Sequence, residues 1–502
     1  MVNRQALNIV ANFSGVGARL IFSLVFNIIY FRLLGSESYG LIGFYASLAA
    51  LSALFDLGLN QTTVREVARR GDDGERAGEL RTVVFTLQLL LGGIGLALGL
   101  LVALGARWIA ASWFSATQLA ADEITASVAL MGGALALLFP ANLFYGTLIG
   151  LQRQVLSNTI IVAATALRGA LTVVALFAFG PSPVIFFSAQ IIVSAVEVGI
   201  LCFVIWGLLP PSSQRLRFDA ALLRATWKFS SGTWLAVTFA QIAMLGDKII
   251  LSTLLPLHLF GLYSLAVTVT STIQRLAAPF TNTYFPHFVR LMEQDRPDAL
   301  LGAYRLACEF ASAIFLAAGL LLIAYAAPVA HLLSTDPADI ARLGWPIALL
   351  AAANTLNVEM ALPFSLLFAH GITAIALRIN LALCVLYPVA LVLLVPRYGI
   401  EAAAGLWLAA NALMLPVLIV MTHRLILPGQ AWQWLRRTVL LPGCGAALAL
   451  AAGLAIMPDL SRLPTLIWIG LNGALALAAA LLCAPETRKI ILARLGNRRS
   501  GE

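Results

Sequence analysis

Charge is scarce in this chain. Only 11% of its 502 residues are Asp, Glu, Lys or Arg, against about 25% in a soluble domain. With 61% hydrophobic residues and a mean hydropathy of +0.92, that scarcity excludes an ordinary water-soluble fold. Cysteine is sparse too. Cys202, Cys308, Cys384, Cys444 and Cys483 lie in separate apolar runs, with no CxxC pair and no Cys/His cluster. Neither a disulfide framework nor a zinc site is indicated. The chain lacks HExxH, a P-loop and a nucleophile elbow, so the common marks of metalloproteases, nucleotide hydrolases and α/β-hydrolases are absent. The short alternating segments of a membrane β-barrel are missing as well. Met1–Gln5 is short and the apolar run after it is too long for a signal-peptide core, so that run reads as an uncleaved first span. The formal net charge of +9 does not point to nucleic acid, because the basic residues follow a membrane pattern rather than one folded face.

What the chain has instead is a succession of apolar stretches of about 20 residues, each long enough to cross a bilayer as a helix. They predict an all-α polytopic membrane protein with about fourteen transmembrane helices. The expected spans are 8–33, 39–60, 81–104, 124–150, 155–179, 184–209, 230–254, 259–286, 302–327, 341–368, 372–395, 399–425, 436–457 and 464–484. Arginine placement sets their direction. Arg65, Arg69, Arg70, Arg76 and Arg81 follow span 2. Arg215, Arg217, Arg224 and Lys228 follow span 6, Arg290 and Arg296 follow span 8, and Arg424, Arg436 and Arg437 follow span 12. The tail carries Arg488, Lys489, Arg494, Arg498 and Arg499, whereas the alternate loops hold about one arginine each. The positive-inside rule then places both termini in the cytoplasm. Ser212–Lys228 sets Leu216, Phe218, Leu222, Leu223 and Trp227 among basic residues, the pattern of an interfacial amphipathic linker. Glu486–Arg499 reads either the same way or as a solvated tail. Gly95 and Gly99 have the spacing of a close helix–helix crossing.

The chain repeats itself. Leu33-Leu34-Gly35-Ser36-Glu37-Ser38-Tyr39-Gly40-Leu41 joins spans 1 and 2, and Leu254-Leu255-Pro256-Leu257-His258-Leu259-Phe260-Gly261-Leu262 joins spans 7 and 8. Six spans separate the copies, so both run in the same direction. This predicts two parallel six-helix lobes with a substrate site at their interface, and two additional C-terminal helices. The expected organisation is an N-terminal lobe over 1–210, an interfacial linker over 211–229, a C-terminal lobe over 230–426, extra helices over 427–485 and a basic tail over 486–502.

Four cations stand inside the apolar runs: Arg19, Arg168, Lys248 and Arg275. A charge at the bilayer centre costs roughly 2.5–3.5 kcal/mol on the insertion scale, so each calls for a polar surrounding. Helical spacing supplies one. Asn8, Asn12, Arg19, Ser23 and Asn27 form a stripe on span 1, and Thr238, Gln241, Lys248 and Ser252 form another on span 7. Ser264, Thr268, Ser271, Arg275 and Asn282 do so on span 8, as do Asn158, Thr165, Arg168 and Thr172 on span 5. The pattern fits a cationic cavity for an anion, lined by Asn12, Asn27, Gln241, Ser271 and Asn282. The alternative is a set of interhelical networks in which each cation meets an acid. The available acids are Asp56, Glu197, Asp247, Glu309 and Glu359. The same acids are candidates for coupling transport to protons or sodium, Asp247 beside Lys248 foremost.

These segments resemble a known family. Leu34-Gly35-Ser36-Glu37-Ser38-Tyr39-Gly40, with Asp56-Leu57-Gly58-Leu59 and Arg65-Glu66, is similar to the start of bacterial polysaccharide transporters. That group is the O-antigen flippase branch of the multidrug/oligosaccharidyl-lipid/polysaccharide (MOP) exporter superfamily. Asp247-Lys248-Ile249-Ile250-Leu251-Ser252 with Phe260-Gly261-Leu262-Tyr263-Ser264 resembles the start of its second half, and Arg397-Tyr398-Gly399-Ile400-Glu401-Ala402-Ala403 its turn before span 12. The resemblance implies two six-helix lobes, a central cavity and alternating access. It implies a polyprenyl-pyrophosphate-linked oligosaccharide turned from the cytoplasmic to the periplasmic leaflet of a bacterial inner membrane. No cofactor is implied. Expected partners are that cargo, membrane lipid and other membrane proteins of polysaccharide assembly. A peptidoglycan lipid-precursor flippase and an ion-coupled multidrug exporter would share the fold. A membrane glycosyltransferase or polymerase is disfavoured, since the longest outer loop, near Arg107–Glu123, is short.

Overall fold

The computed structural model describes residues 2–56, 58–70, 77–211, 216–221, 224, 248–458 and 461–489; the side chains of 2–21, Ala53 and Ala77 are outside it. Every regular element among these residues is helical. Among the described residues, nine segments are long and apolar enough to cross a membrane. Large apolar side chains point outward on them, among them Leu104 (84% exposed), Phe203 (83%) and Leu413 (72%). Water would not tolerate such a surface, whereas lipid does. The chain is a multi-pass membrane protein.

The chain divides into two compact units, Met1–Gly261 and Leu262–Glu502. In the first, α1 (Val2–Leu51) is two helical arms meeting at Gly35, whose φ of 78° is open to glycine and costly for other residues. This is the predicted turn between spans 1 and 2. There follow α2 (Leu59–Arg70), α3 (Ala77–Leu104), the short α4 (Ala106–Ser112), α5 (Ala121–Gly150), α6 (Gln154–Phe179) and α7 (Pro183–Leu208). The predicted GxxxG crossing is present. A methyl group on Gly99 would lie 2.5 Å from the Gly132 carbonyl oxygen of α5, and one on Gly95 2.7 Å from that of Ala136. Val67, Leu80, Val84, Phe144, Leu148, Leu201 and Ile205 form a core on this scaffold.

The two repeated hairpins meet inside this unit. A methyl on Gly40 would lie 2.5 Å from the Leu257 carbonyl oxygen, and one on Gly261 would overlap the Ser36 carbonyl oxygen. Ser36 and Leu257 are equivalent in the repeat, as are Gly40 and Gly261. The contact is therefore reciprocal, as a two-fold relation between the copies requires.

The second unit continues α8 (Leu257–Arg275) into α9 (Ala277–Glu293), then α10 (Pro297–Ala324), α11 (Ala326–Leu333), α12 (Pro337–Glu359) and α13 (Ala361–Ala369). Next comes α14 (Ala374–Leu425), again two arms, bent at Gly399 (φ 63°). After α15 (Ala431–Trp434), a π-helical turn over Leu435–Leu440 leads into α16 (Leu441–Ala455), and α17 (Arg462–Cys483) closes the series. Phe288, Tyr304, Phe315, Leu366, Leu418 and Trp434 lie in its core.

Each predicted span overlaps a helix among the described residues; span 7 does so over residues 248–254, and its earlier part lies outside them. Of the predicted interfacial linker, residues 216–219 are not helical, and the Asp219 amide donates to Thr86 Oγ1 at 3.1 Å. Most of its remainder lies outside the described residues. The tail is helical over residues 485–489, and its continuation is likewise outside them.

Candidate functional site

Arg168, on α6, belongs to a polar chain that joins four helices of the first unit. Its Nη2 donates to Glu197 Oε2 of α7 at 2.5 Å. The other Glu197 oxygen accepts from the Tyr145 hydroxyl of α5 at 2.5 Å. Arg168 Nη1 donates to Gln190 Oε1 at 3.4 Å, and Gln190 Nε2 donates to Thr172 Oγ1 at 3.2 Å. Thr172 also shares a hydrogen bond with the Tyr30 hydroxyl of α1. Of the two readings open for this cation, the acid pair is the one found. Its side chain nonetheless keeps 31% exposure, against 11% for Glu197. The guanidinium has donors to spare for a second acceptor.

The other members of the span 1 stripe divide. Asn27 Nδ2 donates to the Ser23 carbonyl at 2.7 Å, and its Oδ1 accepts from the Tyr39 hydroxyl at 2.9 Å. It ties the two arms of α1 together across Gly35. The side chains of Arg19 and Asn12 lie outside the described residues, as do Gln241 and Asp247 altogether. Lys248 begins the described part of its helix and is half-buried.

In the second unit, Arg275 is the last residue of α8 and is exposed, as is Asn282 on α9. Ser271 is half-buried and donates to the Thr268 carbonyl at 3.1 Å.

The remaining acids have particular partners. Asp56 accepts from the Asn60 amide at 3.1 Å and thereby fixes the start of α2. Glu309, fully buried on α10, accepts from the Glu486 amide at 2.7 Å, at the beginning of the tail helix. Glu359, also buried, accepts from the Ser312 hydroxyl. Glu309 and Glu359 each retain one carboxylate oxygen with no partner among the described residues. Among the described residues, no three His, Cys, Asp or Glu side chains are grouped to hold a metal ion.

Sequence reasoning passed over Glu37, which it treated only as part of the repeat. This residue is 2% exposed. Its Oε1 accepts from the Thr117 amide and hydroxyl, both at 2.7 Å, and its Oε2 from the amides of Gln118 (2.9 Å) and Leu119 (3.0 Å). Burial pushes the carboxyl up, but these four donors outweigh it and hold it below the ordinary glutamate value. Beside it, Leu257 N donates to the Ser115 carbonyl at 3.0 Å, and Trp113 Nε1 to Ser252 Oγ at 3.0 Å. The outer loop over residues 113–119 is thus pinned to both hairpins. An unusually polar residue in a tight apolar turn was the signal available.

The two arms of α14 also enclose an apolar groove of about 330 Å³, lined by Ile379, Leu383, Leu386, Tyr387, Leu406 and Leu413 among others.

Comparison with known proteins decides the family. The model of the polysaccharide biosynthesis protein family matches residues 6–292, more than half of the chain. The chain belongs to this family. Solved structures supply the fold of this polysaccharide biosynthesis protein. An inward-facing MATE-family multidrug resistance transporter of the MOP superfamily superposes with a TM-score of 0.66 at 16% identity, covering 81% of this chain and 94% of its own. The lipid II flippase MurJ, in an inward closed conformation, gives a TM-score of 0.64 at 14% identity, covering 97% of this chain and all of its own. A MOP transporter from Pyrococcus furiosus, described as having a binding pocket of reversed polarity, gives 0.50 at 14% identity over 85% of this chain. Among curated proteins, none matches the sequence. The family is thus shown by sequence, and these solved structures show the fold that the chain shares with MATE transporters and MurJ.

Proposed function

We propose that this protein flips a polyprenyl-pyrophosphate-linked oligosaccharide, an O-antigen or exopolysaccharide repeat unit, from the cytoplasmic to the periplasmic leaflet of a bacterial inner membrane. Both termini lie on the cytoplasmic side, where the basic loops collect. The reading is carried by one observation above others. A polysaccharide biosynthesis family chain places arginines within otherwise apolar spans, at Arg19, Arg168 and Arg275. A diphosphate is a compact anion, and a guanidinium fork matches phosphate oxygens two at a time. Asn, Ser and Thr on the same stripes suit sugar hydroxyls. The groove between the arms of α14 offers apolar surface of the kind a prenyl tail needs. Protons or sodium drive the return stroke through the buried acids.

The peptidoglycan-precursor reading draws support from the extent of the MurJ superposition, which takes in 97% of this chain. Both cargoes carry the same diphosphate, so the arginines serve either. A multidrug exporter of cations is disfavoured by the same arginines.

The mutational test is direct. Arg19→Ala or Arg275→Ala abolishes surface polysaccharide while the protein still inserts, and Lys at either position rescues in part. Normal polymer length and amount in both Ala variants would contradict the phosphate-binding role.

A further inference from the structure

At the arginine-rich end of the second unit, a small void of about 10 Å³ lies among α10, α14, α15 and the π-helical turn. Tyr304, Glu309, His423 and Trp434 all line it. Each is at least nine-tenths buried. Each also carries one polar atom with no hydrogen-bond partner among the described residues: Tyr304 Oη, Glu309 Oε1, His423 Nε2 and Trp434 Nε1. Tyr304 and Trp434 lie against the Cys308 sulfur, but thiol sulfur is a weak acceptor. Leaving a polar group unpaired in a buried site costs roughly 1–3 kcal/mol, and here four residues carrying such groups line one void.

Their valences are complementary. His423 Nδ1 lies 2.8 Å from the Ile419 carbonyl oxygen, which can only accept, so Nδ1 carries the proton and Nε2 is a bare acceptor. Glu309 Oε2 is occupied by the Glu486 amide, so Oε1 is a second acceptor. Trp434 Nε1–H is a donor, and the Tyr304 hydroxyl supplies another. Two acceptors and two donors are the complement of one water molecule. A void of about 10 Å³ is about the smallest that holds one.

We propose that these four side chains bind a single buried water, and that this water passes the coupling proton between Glu309 and His423. The same geometry rejects sodium. A metal cation needs a shell of oxygens, and the indole N–H cannot ligate one. Arg305 and Arg437 also line the void. The Gln430 and Gln433 carbonyls there are already taken by Arg305 Nη2, at 2.6 and 3.0 Å. When Glu309 is protonated, it gives its proton to the water as the water gives one to His423 Nε2. The carboxylate gains a negative charge and the imidazole a positive one, so the net charge of the pair is conserved. The ionisable groups around the relay are Tyr304, Cys308, Arg305, Arg437, Glu359, Glu486 and Lys489. Glu309 also holds the first turn of the basic tail, where Glu486 pairs with Arg437 at 3.4 Å. The wall built by Arg437 and Thr438 belongs to the π-helical turn, a distortion that recurs at functional sites.

The use of the proton rests on the ion-driven flippase reading; the hydrated site does not. Two arms of one study separate them. A structure of the full chain at a resolution that shows solvent is expected to place one peak within hydrogen-bond distance of Glu309 Oε1 and His423 Nε2. A dry cavity, or a peak that appears only in sodium, overturns the site. In proteoliposomes containing a pH-sensitive dye, addition of a polyprenyl-diphosphate oligosaccharide is expected to move protons with the wild-type chain. Glu309→Gln and His423→Phe reduce that signal roughly tenfold or more, and exchanging sodium for potassium leaves it unchanged. Proton movement retained in both variants overturns the relay. Absence of cargo movement in the wild type counts against the flippase reading instead, and the solvent peak still decides the site.

Discussion

The Arg168–Glu197 pair shows how much one buried charge depends on its neighbour. Removing Arg168 leaves a carboxylate that is 11% exposed and, among the described residues, held by Tyr145. Breaking a buried pair from one side costs roughly 3–5 kcal/mol, whereas replacing both members by apolar groups is often neutral. Because the guanidinium is partly exposed, Arg168→Ala is expected at the low end of that range. The double variant Arg168→Met/Glu197→Leu recovers most of the loss. Thermal unfolding of the detergent-purified variants measures both, and a double variant as unstable as the single one would contradict the pairing. Glu37 gives a prediction in pH. Glu37→Gln presents an NH2 group to amides that need an acceptor, at a cost of roughly 1.5–3 kcal/mol. The folded carboxyl titrates below its unfolded value, so its stabilisation is fully present above the ordinary glutamate value of about 4.3. It is lost as the pH falls through the lower, folded value. The stability gap between wild type and Glu37→Gln is therefore constant from neutral pH down to about 4.3 and closes below it. A gap independent of acid would place the contribution elsewhere.

At the scale of elements, the seam between the two repeated hairpins is the most demanding packing in the first unit. Gly40→Ala and Gly261→Ala each insert a methyl against a backbone carbonyl, and overpacking of that kind costs about 1–3 kcal/mol. Gly207→Ala, with nothing within 4 Å of the added methyl, serves as the neutral comparison. Equal stability of all three would show that the seam yields freely. The turns themselves were legible in the sequence, because Gly35 and Gly399 sit where apolar runs break and each adopts a positive φ. The spans were legible for the same reason, since lipid demands about 20 apolar residues whatever the fold. Partnership was harder to read. Arg168 with Glu197 was foreseen as one alternative, because both stand inside spans that are adjacent in sequence. The acceptor role of Glu37 was not, since its donors lie about 80 residues away on another loop and no periodicity connects them. Glu309 and the start of the tail are farther apart still. Helical spacing says which face a side chain occupies, but which helix covers that face is decided by packing.

For the whole molecule, a polysaccharide biosynthesis family sequence has the fold of the MATE and MurJ structures, and the polar features divide by what they do. Asn27, Asp56 and Glu37 hold turns and helix starts in place. Arg168 is paired yet accessible, whereas Glu309 and Glu359 keep open acceptor oxygens inside the second unit. Such a division suits a machine that needs rigid hairpins and a few exchangeable charges. The central claim is that the cargo is an anionic lipid-linked oligosaccharide. Its most direct test is transfer of a polyprenyl-diphosphate oligosaccharide across the bilayer of proteoliposomes containing the purified chain, read by lectin access to the sugar from the far side. The account predicts protein-dependent transfer that falls roughly tenfold or more in Arg275→Ala, as loss of a charged hydrogen bond implies. Transfer equally fast in Arg275→Ala, or a folded protein that leaves the oligosaccharide in place while moving cationic drugs, would contradict it.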